Sequence, residues 1–229
     1  MKRRYKLLLI ILIGIILTYL INSFSSEPKL NLVAIGDGIG LGLTSYETVG
    51  ISYNDYLKDY LETKKDLESY NNEFCKQHLT VSKFNQILVN NEKGYKSSIA
   101  IKQILAKADI ITIALGQDEL TDYSMHSKIE ENNIKEFLDD YERIIKSIRA
   151  FNENNIVIIG LYPTSNLKQN SVITINKKLS ELAVNYKIDF YDLFSLAKNN
   201  EFYLKDTSYY MNYRAHLEIF KEIKEILNV

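Results

Sequence analysis

Gly36-Asp37-Gly38-Ile39-Gly40 closes an apolar run and is followed by hydroxyls at Thr44 and Ser45, a place where a backbone turn could bring donors and a nucleophile to a ligand. Four glycines at 36, 38, 40 and 42 suggest a phosphate loop. No lysine stands at the Walker spacing, and no G-x-G-x-x-G with a downstream acid is present, so a tight loop over a strand end is the better reading. Histidine, the usual base, occurs at 78, 126 and 216 only. Cys75 lies three residues before His78, but residues three apart on a strand point to opposite faces, which disfavours a thiol–imidazole dyad. Asp37, Asp118 and Glu119 could gather near His78 as metal ligands. The simpler role for Asp37 and Glu119 is to accept hydrogen bonds from loop amides. Thr44 and Ser45 read as solvent-exposed loop hydroxyls, His126 as part of a surface loop, and His216 as packed against, or exposed on, the last helix.

These residues must be positioned by a fold, and the composition limits which one. The 229 residues are enough for one good-sized core, and 46% hydrophobic with 25% charged residues is ordinary globular composition. A formal net charge of -1 gives no electrostatic footprint for nucleic acid. One cysteine rules out an internal disulfide. The 17 tyrosines read first as packing residues, with stacking on sugars as the alternative.

At the amino end, Lys2, Arg3, Arg4 and Lys6 precede an apolar run from Leu7 to Ile21, followed by polar Asn22, Ser23, Ser25 and Ser26. A positive end before a hydrophobic segment predicts an N-terminal transmembrane helix acting as a signal anchor, favoured over a cleaved signal peptide. No cysteine follows it, which excludes a lipoprotein anchor. Residues 1–28 are therefore expected to be the basic end and anchor, and 29–229 a single domain outside the cytoplasmic membrane, secreted if the signal is cleaved.

Within that domain, apolar runs at Leu30–Ile35, Ile110–Leu115, Ile156–Leu161 and Ile188–Tyr191 read as strands, with a weaker one at Glu73–Leu79. Helical spacing covers Tyr53–Leu61, Val81–Leu88, Ser97–Ala106, Val172–Tyr186 and Met211–Leu227. It is strongest at Ile134, Phe137, Leu138, Tyr141, Ile145 and Ile148. Alternating strands and helices, with strands apolar on both faces, predict an α/β fold: a three-layer α/β/α sandwich around a mainly parallel sheet. Ligands in such sheets bind at the carboxyl ends of the strands. That directs attention to Asp37–Gly42, Gln77–Thr80, Gly116–Leu120 and Tyr162–Asn166.

Four blocks in order carry a resemblance. Leu32 to Gly42 contains Gly36-Asp37-Gly38, Ala108 to Leu120 contains Gly116-Gln117-Asp118-Glu119-Leu120, Val157 to Pro163 forms a strand and loop, and Met211 to His216 enters the final helix. Over roughly residues 30–228 they resemble the SGNH (GDSL) hydrolases, a family of esterases, lipases and carbohydrate deacetylases with a flavodoxin-like sheet. The resemblance implies a serine nucleophile, a histidine base oriented by an aspartate three residues earlier, and an oxyanion held by the serine N–H, a glycine N–H and an asparagine amide. Position by position, the serine falls on Gly38, the glycine on His78, the asparagine on Asp118, the histidine on Tyr210 and the aspartate on Thr207, with Asp206 one place off. Gly38 removes the nucleophile. Asp118, if ionised, offers an acceptor where a donor is needed. Tyr210, with an ordinary pKa of about 10, is a poor base at neutral pH.

The expectation is an SGNH-like pseudoenzyme with no catalytic residues of the family's kind, no metal and no cofactor. Its former active-site pocket would be lined by Asp37, Gly38, His78, Gln117, Asp118, Tyr162, Tyr210 and Asn212. Expected partners are the membrane, through the N-terminal helix, and a cell-envelope glycan, an acyl ligand or an envelope protein. An active esterase or deacetylase using non-standard residues is the alternative.

Overall fold

The computed structural model describes residues 12–14, 28–202 and 210–229. The expected anchor lies almost wholly outside them. Among the described residues no helix is long and apolar enough to cross a membrane.

Five strands form one parallel sheet: β1 (Leu30–Gly36), β2 (Leu67–Cys75), β3 (Ile110–Ala114), β4 (Asn155–Ile159) and β5 (Asp189–Tyr191), in the order β2-β1-β3-β4-β5. The described helices are α1 (Gly38–Leu41), α2 (Tyr53–Lys64), α3 (Val81–Asn90), α4 (Ile101–Ala106), α5 (Gln117–His126), α6 (Glu131–Arg149), α7 (Gln169–Asn185), α8 (Leu193–Leu196) and α9 (Tyr213–Leu227).

The period of two along the strands sends alternate residues into two cores. Val33, Ile35, Ile111, Ile113, Ile156 and Ile158 pack with α3, α4, α6 and α7. Leu32, Ile110, Val157 and Ile159 pack with α2 and α9 on the other side. This is the expected three-layer sandwich, and it explains why the strands read as continuous apolar runs. A buried polar contact ties the second layer to the sheet: Thr112 Oγ1 donates to Asn54 Oδ1 at 2.6 Å.

Besides the one-turn helices α1 and α8, which the sequence reading did not contain, three elements differ from it. The second strand runs over Leu67–Cys75 rather than Glu73–Leu79, and residues 76–80 form the loop beyond it. As an edge strand, its first six residues are half-buried or exposed, so Glu68, Ser69, Asn71 and Asn72 hide it from an apolar search. Helix α4 begins at Ile101 rather than Ser97, because the Glu73 carboxylate accepts the amides of Lys96 (2.7 Å) and Ser97 (3.1 Å) and holds that segment as a loop. Residues 117–126 form a helix, α5, where the sequence carried no apolar stripe strong enough to show one.

Candidate active site

In a sheet of this order the chain leaves β1 toward one edge and β3 toward the other, which opens a crevice at their carboxyl ends. Asp37 and Gly38 leave β1 there, and Gln117 and Asp118 leave β3. The β1 exit is pinned by the Asp37 N–H donating to the Ala114 carbonyl at 2.8 Å. The β3 exit turns at Gly116, whose φ is +103°. A Cβ there would lie 2.5 Å from Cε2 of Phe137, so glycine is required on two grounds.

The centre of the crevice is occupied by one carboxylate. Oδ2 of Asp118 accepts the N–H of Gly38 at 3.0 Å and the N–H of His78 at 2.9 Å. These are the two backbone donors that the resemblance assigns to an oxyanion. Asp118 is itself anchored, its N–H donating to Asp37 Oδ2 at 3.0 Å, while Asp37 Oδ1 accepts the N–H of Ile39 at 3.4 Å. The space above Gly38 is filled as well. A Cβ at that position would lie 2.5 Å from Cε1 of Tyr210 and 2.9 Å from Oδ1 of Asp118.

Burial governs the electrostatics. Asp37 is fully enclosed and held well above the usual carboxylate range, first by desolvation and then by the charge of Asp118. Asp118 is also raised by burial, against the opposing pull of the His78 and Gly38 amides. The Tyr210 phenol, facing Asp118, is pushed up by burial and by that neighbouring charge. Neither the glycine nor the phenol supplies a neutral-pH nucleophile or base.

At the rim, His78 Nδ1 lies 2.8 Å from Asp122 Oδ2 on α5. His78 adopts φ +58°, a left-handed backbone at a residue with a bulky side chain. Gln77 Nε2 reaches the Tyr210 hydroxyl at 3.5 Å. Asp122 escaped the sequence reading. Only the turn at 78 and the register of an unforeseen helix bring residues 44 apart in the chain together.

Of the expected pocket residues, Asp37, Gly38, His78, Asp118 and Tyr210 converge in this way. Gln117 and Tyr162 face each other beneath it: Tyr162 N–H donates to Gln117 Oε1 at 3.0 Å, and Gln117 Nε2 donates to the Tyr162 carbonyl at 3.1 Å. Asn212 caps α9, accepting the N–H of Arg214 at 2.9 Å. Thr207 and Asp206 lie outside the described residues.

Glu119 accepts the Val81 N–H at 2.8 Å and Asp37 bonds two amides, the loop-amide roles anticipated for both. Among the described residues no three His, Cys, Asp or Glu side chains gather to hold a metal ion. Cys75 is buried and its thiol is pushed up by desolvation.

Thr44, Ser45 and His126 differ from expectation, whereas His216 is packed, one of its two expected placements. Thr44 is buried, and Ser45 is half-buried with its hydroxyl donating to the Tyr210 carbonyl at 2.7 Å, so neither is an open loop hydroxyl. His126 is exposed, but it ends helix α5 rather than lying in a loop. His216 is wholly buried, stacked on Tyr53 and bonded through Nε2 to the Leu43 carbonyl at 3.3 Å, which keeps it away from the crevice.

Comparison with known proteins agrees with this fold. No curated protein matches the chain. Solved structures do: a lipase, Lip_vut3, from a goat rumen metagenome (TM-score 0.66, 18% identity, 86% of this chain and 97% of that one). A lipase/acylhydrolase from Enterococcus faecalis is similar too (TM-score 0.62, 15% identity, 88% and 96%). So is a catalytic mutant of an acetylxylan esterase from Geobacillus stearothermophilus (TM-score 0.63, 13% identity, 88% and 95%). At these identities the likeness is one of fold. The family model for GDSL-like lipase/acylhydrolase matches residues 32–220, from the middle of β1 into α9, and so spans every element that meets at the crevice. The chain belongs to the GDSL-like lipase/acylhydrolase family.

Proposed function

We propose that this member of the family does not hydrolyse esters and instead binds a cell-envelope ligand or partner at the rim of its former active site, anchored through its N-terminal segment with the domain outside the cytoplasmic membrane. One observation carries the reading: the Asp118 carboxylate sits on the Gly38 and His78 amides, where a transition-state oxyanion would need to be. A fixed anion there leaves those donors no capacity for a substrate and repels any charge developing nearby. The Tyr210 ring and Asp118 Oδ1 crowd the space that a nucleophilic side chain at position 38 would use. Loss of the nucleophile and base together costs such enzymes several orders of magnitude in rate.

The alternative, hydrolysis by non-standard residues, has one observation in its favour, the His78–Asp122 pair. Full-length protein in detergent micelles, exposed to short acyl esters and to a fluorophosphonate and read by turnover and intact mass, separates the two. We expect neither turnover nor adduct. Turnover abolished by His78→Ala would overturn the proposal in favour of that alternative, and a fluorophosphonate adduct would overturn it outright.

A further inference from the structure

Leu43 ties three parts of the molecule together. Its N–H donates to the Gly38 carbonyl at 2.8 Å, its carbonyl accepts from Nε2 of His216 at 3.3 Å, and it pairs with Val49 across an isolated bridge. The chain from Leu43 to Val49 is a short loop with a closed neck. Gly50 N–H donates to the Gly42 carbonyl at 2.8 Å, and Gly42 sits at φ +89°. Ser45 makes a second attachment, its hydroxyl donating to the Tyr210 carbonyl at 2.7 Å. Tyr210 stands two residues before Asn212, which caps α9, and α9 carries His216. The loop, the helix and the ring over Gly38 therefore form one closed circuit. Residues 46–50 are exposed, and among the described residues only Leu43 and Ser45 bond the loop to the rest of the molecule.

The bond from His216 depends on the ring being neutral. A neutral ring donates through Nε2, which leaves Nδ1 a wholly buried acceptor with no partner. A second ring proton would sit on that nitrogen. Few charged or titratable groups face it. On α2 these are Tyr53, stacked at 6.4 Å, and Asp55. The loop contributes the Leu43 carbonyl, its Glu47 being exposed, and on α9 itself the neighbours one turn away, Asn212 and Phe220, carry no charge. Asp55 is already engaged: it accepts the Ser52 N–H at 2.9 Å, the Ser52 hydroxyl at 2.7 Å and the Tyr70 hydroxyl at 3.2 Å. An imidazolium would thus be buried with one N–H unsatisfied. The smallest rearrangement that hydrates it parts the first turn of α9 from an exposed loop bounded by glycines.

We propose that residues 43–50 are an acid-released strap over the former active site, latched by His216: a solvent proton taken up on Nδ1 expels the ring, frees Leu43 and Ser45, and lets Tyr210 lift from Gly38. At neutral pH the strap is closed. The device regulates access to the crevice and rests on the reading of that crevice as a binding site, but it is measured without any ligand.

The test is hydrogen exchange read by mass spectrometry on full-length protein in detergent micelles, corrected for the intrinsic effect of pH, with hydroxyl-radical footprinting of tyrosine alongside. Between neutral pH and the acid end of the His216 window, protection of residues 43–50 and 210–216 is expected to fall by about tenfold or more. The displacement from 6.5 to about 4 allows roughly a hundredfold. Amides of β1 and β3 should hold, and Tyr210 should oxidise faster on acidification while fully buried Tyr141 does not. His216→Gln retains a side-chain donor for Leu43 but does not titrate, so its strap should stay closed. Asp37 and Asp118 are present in both proteins, which isolates the histidine. Ser45→Ala should lower protection of 210–216 about fivefold at neutral pH, as loss of one hydrogen bond does, and it decides the matter if His216→Gln fails to fold. Unchanged protection in the parent or in Ser45→Ala, an equal fall in His216→Gln, a silent Tyr210, or strand amides falling together with the strap would each overturn the proposal. A fluorophosphonate adduct would sink the non-hydrolytic reading, whereas a strap that stays shut in acid sinks only this one.

Discussion

Position 38 accepts no side chain while position 210 is tyrosine, because the Tyr210 ring and the Asp118 carboxylate already fill the volume a Cβ would need. The two residues are therefore coupled, and substitution should be non-additive. Gly38→Ser is expected to lower stability by about 1–3 kcal/mol, as overpacking a filled site does. Combined with Tyr210→Ala, the serine should cost less than it does alone, because its clash partner is gone. Urea unfolding of the two single variants and the double variant measures this, and strict additivity would mean that the crowding is relaxed at no cost. Asp118 behaves differently. Asp118→Asn retains an oxygen for the Gly38 and His78 amides and relieves the charge beside Asp37, so it should be neutral or stabilising. Asp118→Ala leaves two enclosed N–H groups unpaired, at about 1–3 kcal/mol each where water cannot replace the carboxylate.

At the level of elements, carboxylates that bond backbone amides fix the loops around the sheet's carboxyl end. Asp37 joins the β1 exit to the start of α5, Glu119 joins α5 to the start of α3, and Glu73 on β2 organises the loop before α4. Asp118 and Glu119 occupy the first turn of α5, where the helix dipole favours negative charge. Glu73→Ala should leave the sheet intact but release the Lys96 and Ser97 amides. Hydrogen exchange there should accelerate by an order of magnitude or more, while amides of β1 and β3 keep their protection. Unchanged exchange at Lys96 and Ser97 would show that the loop is held by other contacts.

For the whole molecule, the buried titratable groups set opposing pH trends. Burial lowers the pKa of His216 from 6.5 to about 4. The unfolded chain then binds the extra proton first, and stability falls as pH drops through that window, by about 3 kcal/mol in full. Asp37 and Asp118 are raised, so the folded state binds more protons than the unfolded one. Their contribution is fully present at low pH and is lost as pH rises through their folded values. Glu73 and Glu142 are held below their ordinary 4.5 and lose their stabilisation only under that value. Between 6.5 and 4.5, His216 and the carboxylate pair therefore oppose each other. His216→Gln should remove the loss and leave stability rising as pH falls across this range. Urea midpoints near neutral pH and near 4.5 check the sign, and a midpoint falling as steeply in the variant as in the parent would refute it.

The sequence by itself determined the fold class and the parallel order of alternating strands and helices; the positions of the family's chemical groups were assigned from the resemblance. Strand runs such as Ile110–Ala114 and Ile156–Ile159 are buried at every residue because helices cover both faces, and all but Thr112 are apolar, so they can be read without coordinates. The strand ends also pointed to Asp37, Gly38 and Asp118, whereas His78 and Tyr210 were reached through the family resemblance. The sequence could not locate β2, whose outer half faces solvent, or α5, whose apolar stripe is weak. Only the tertiary structure decided how the replaced residues meet: a carboxylate seated on two amides, a tyrosine ring over a glycine, and a histidine paired with an aspartate 44 residues away. These contacts depend on loop turns and helix register at the switch point of the sheet, which hydrophobic periodicity does not encode. The periodicity reports which face of an element is buried, not which side chains from separate elements come within hydrogen-bonding distance.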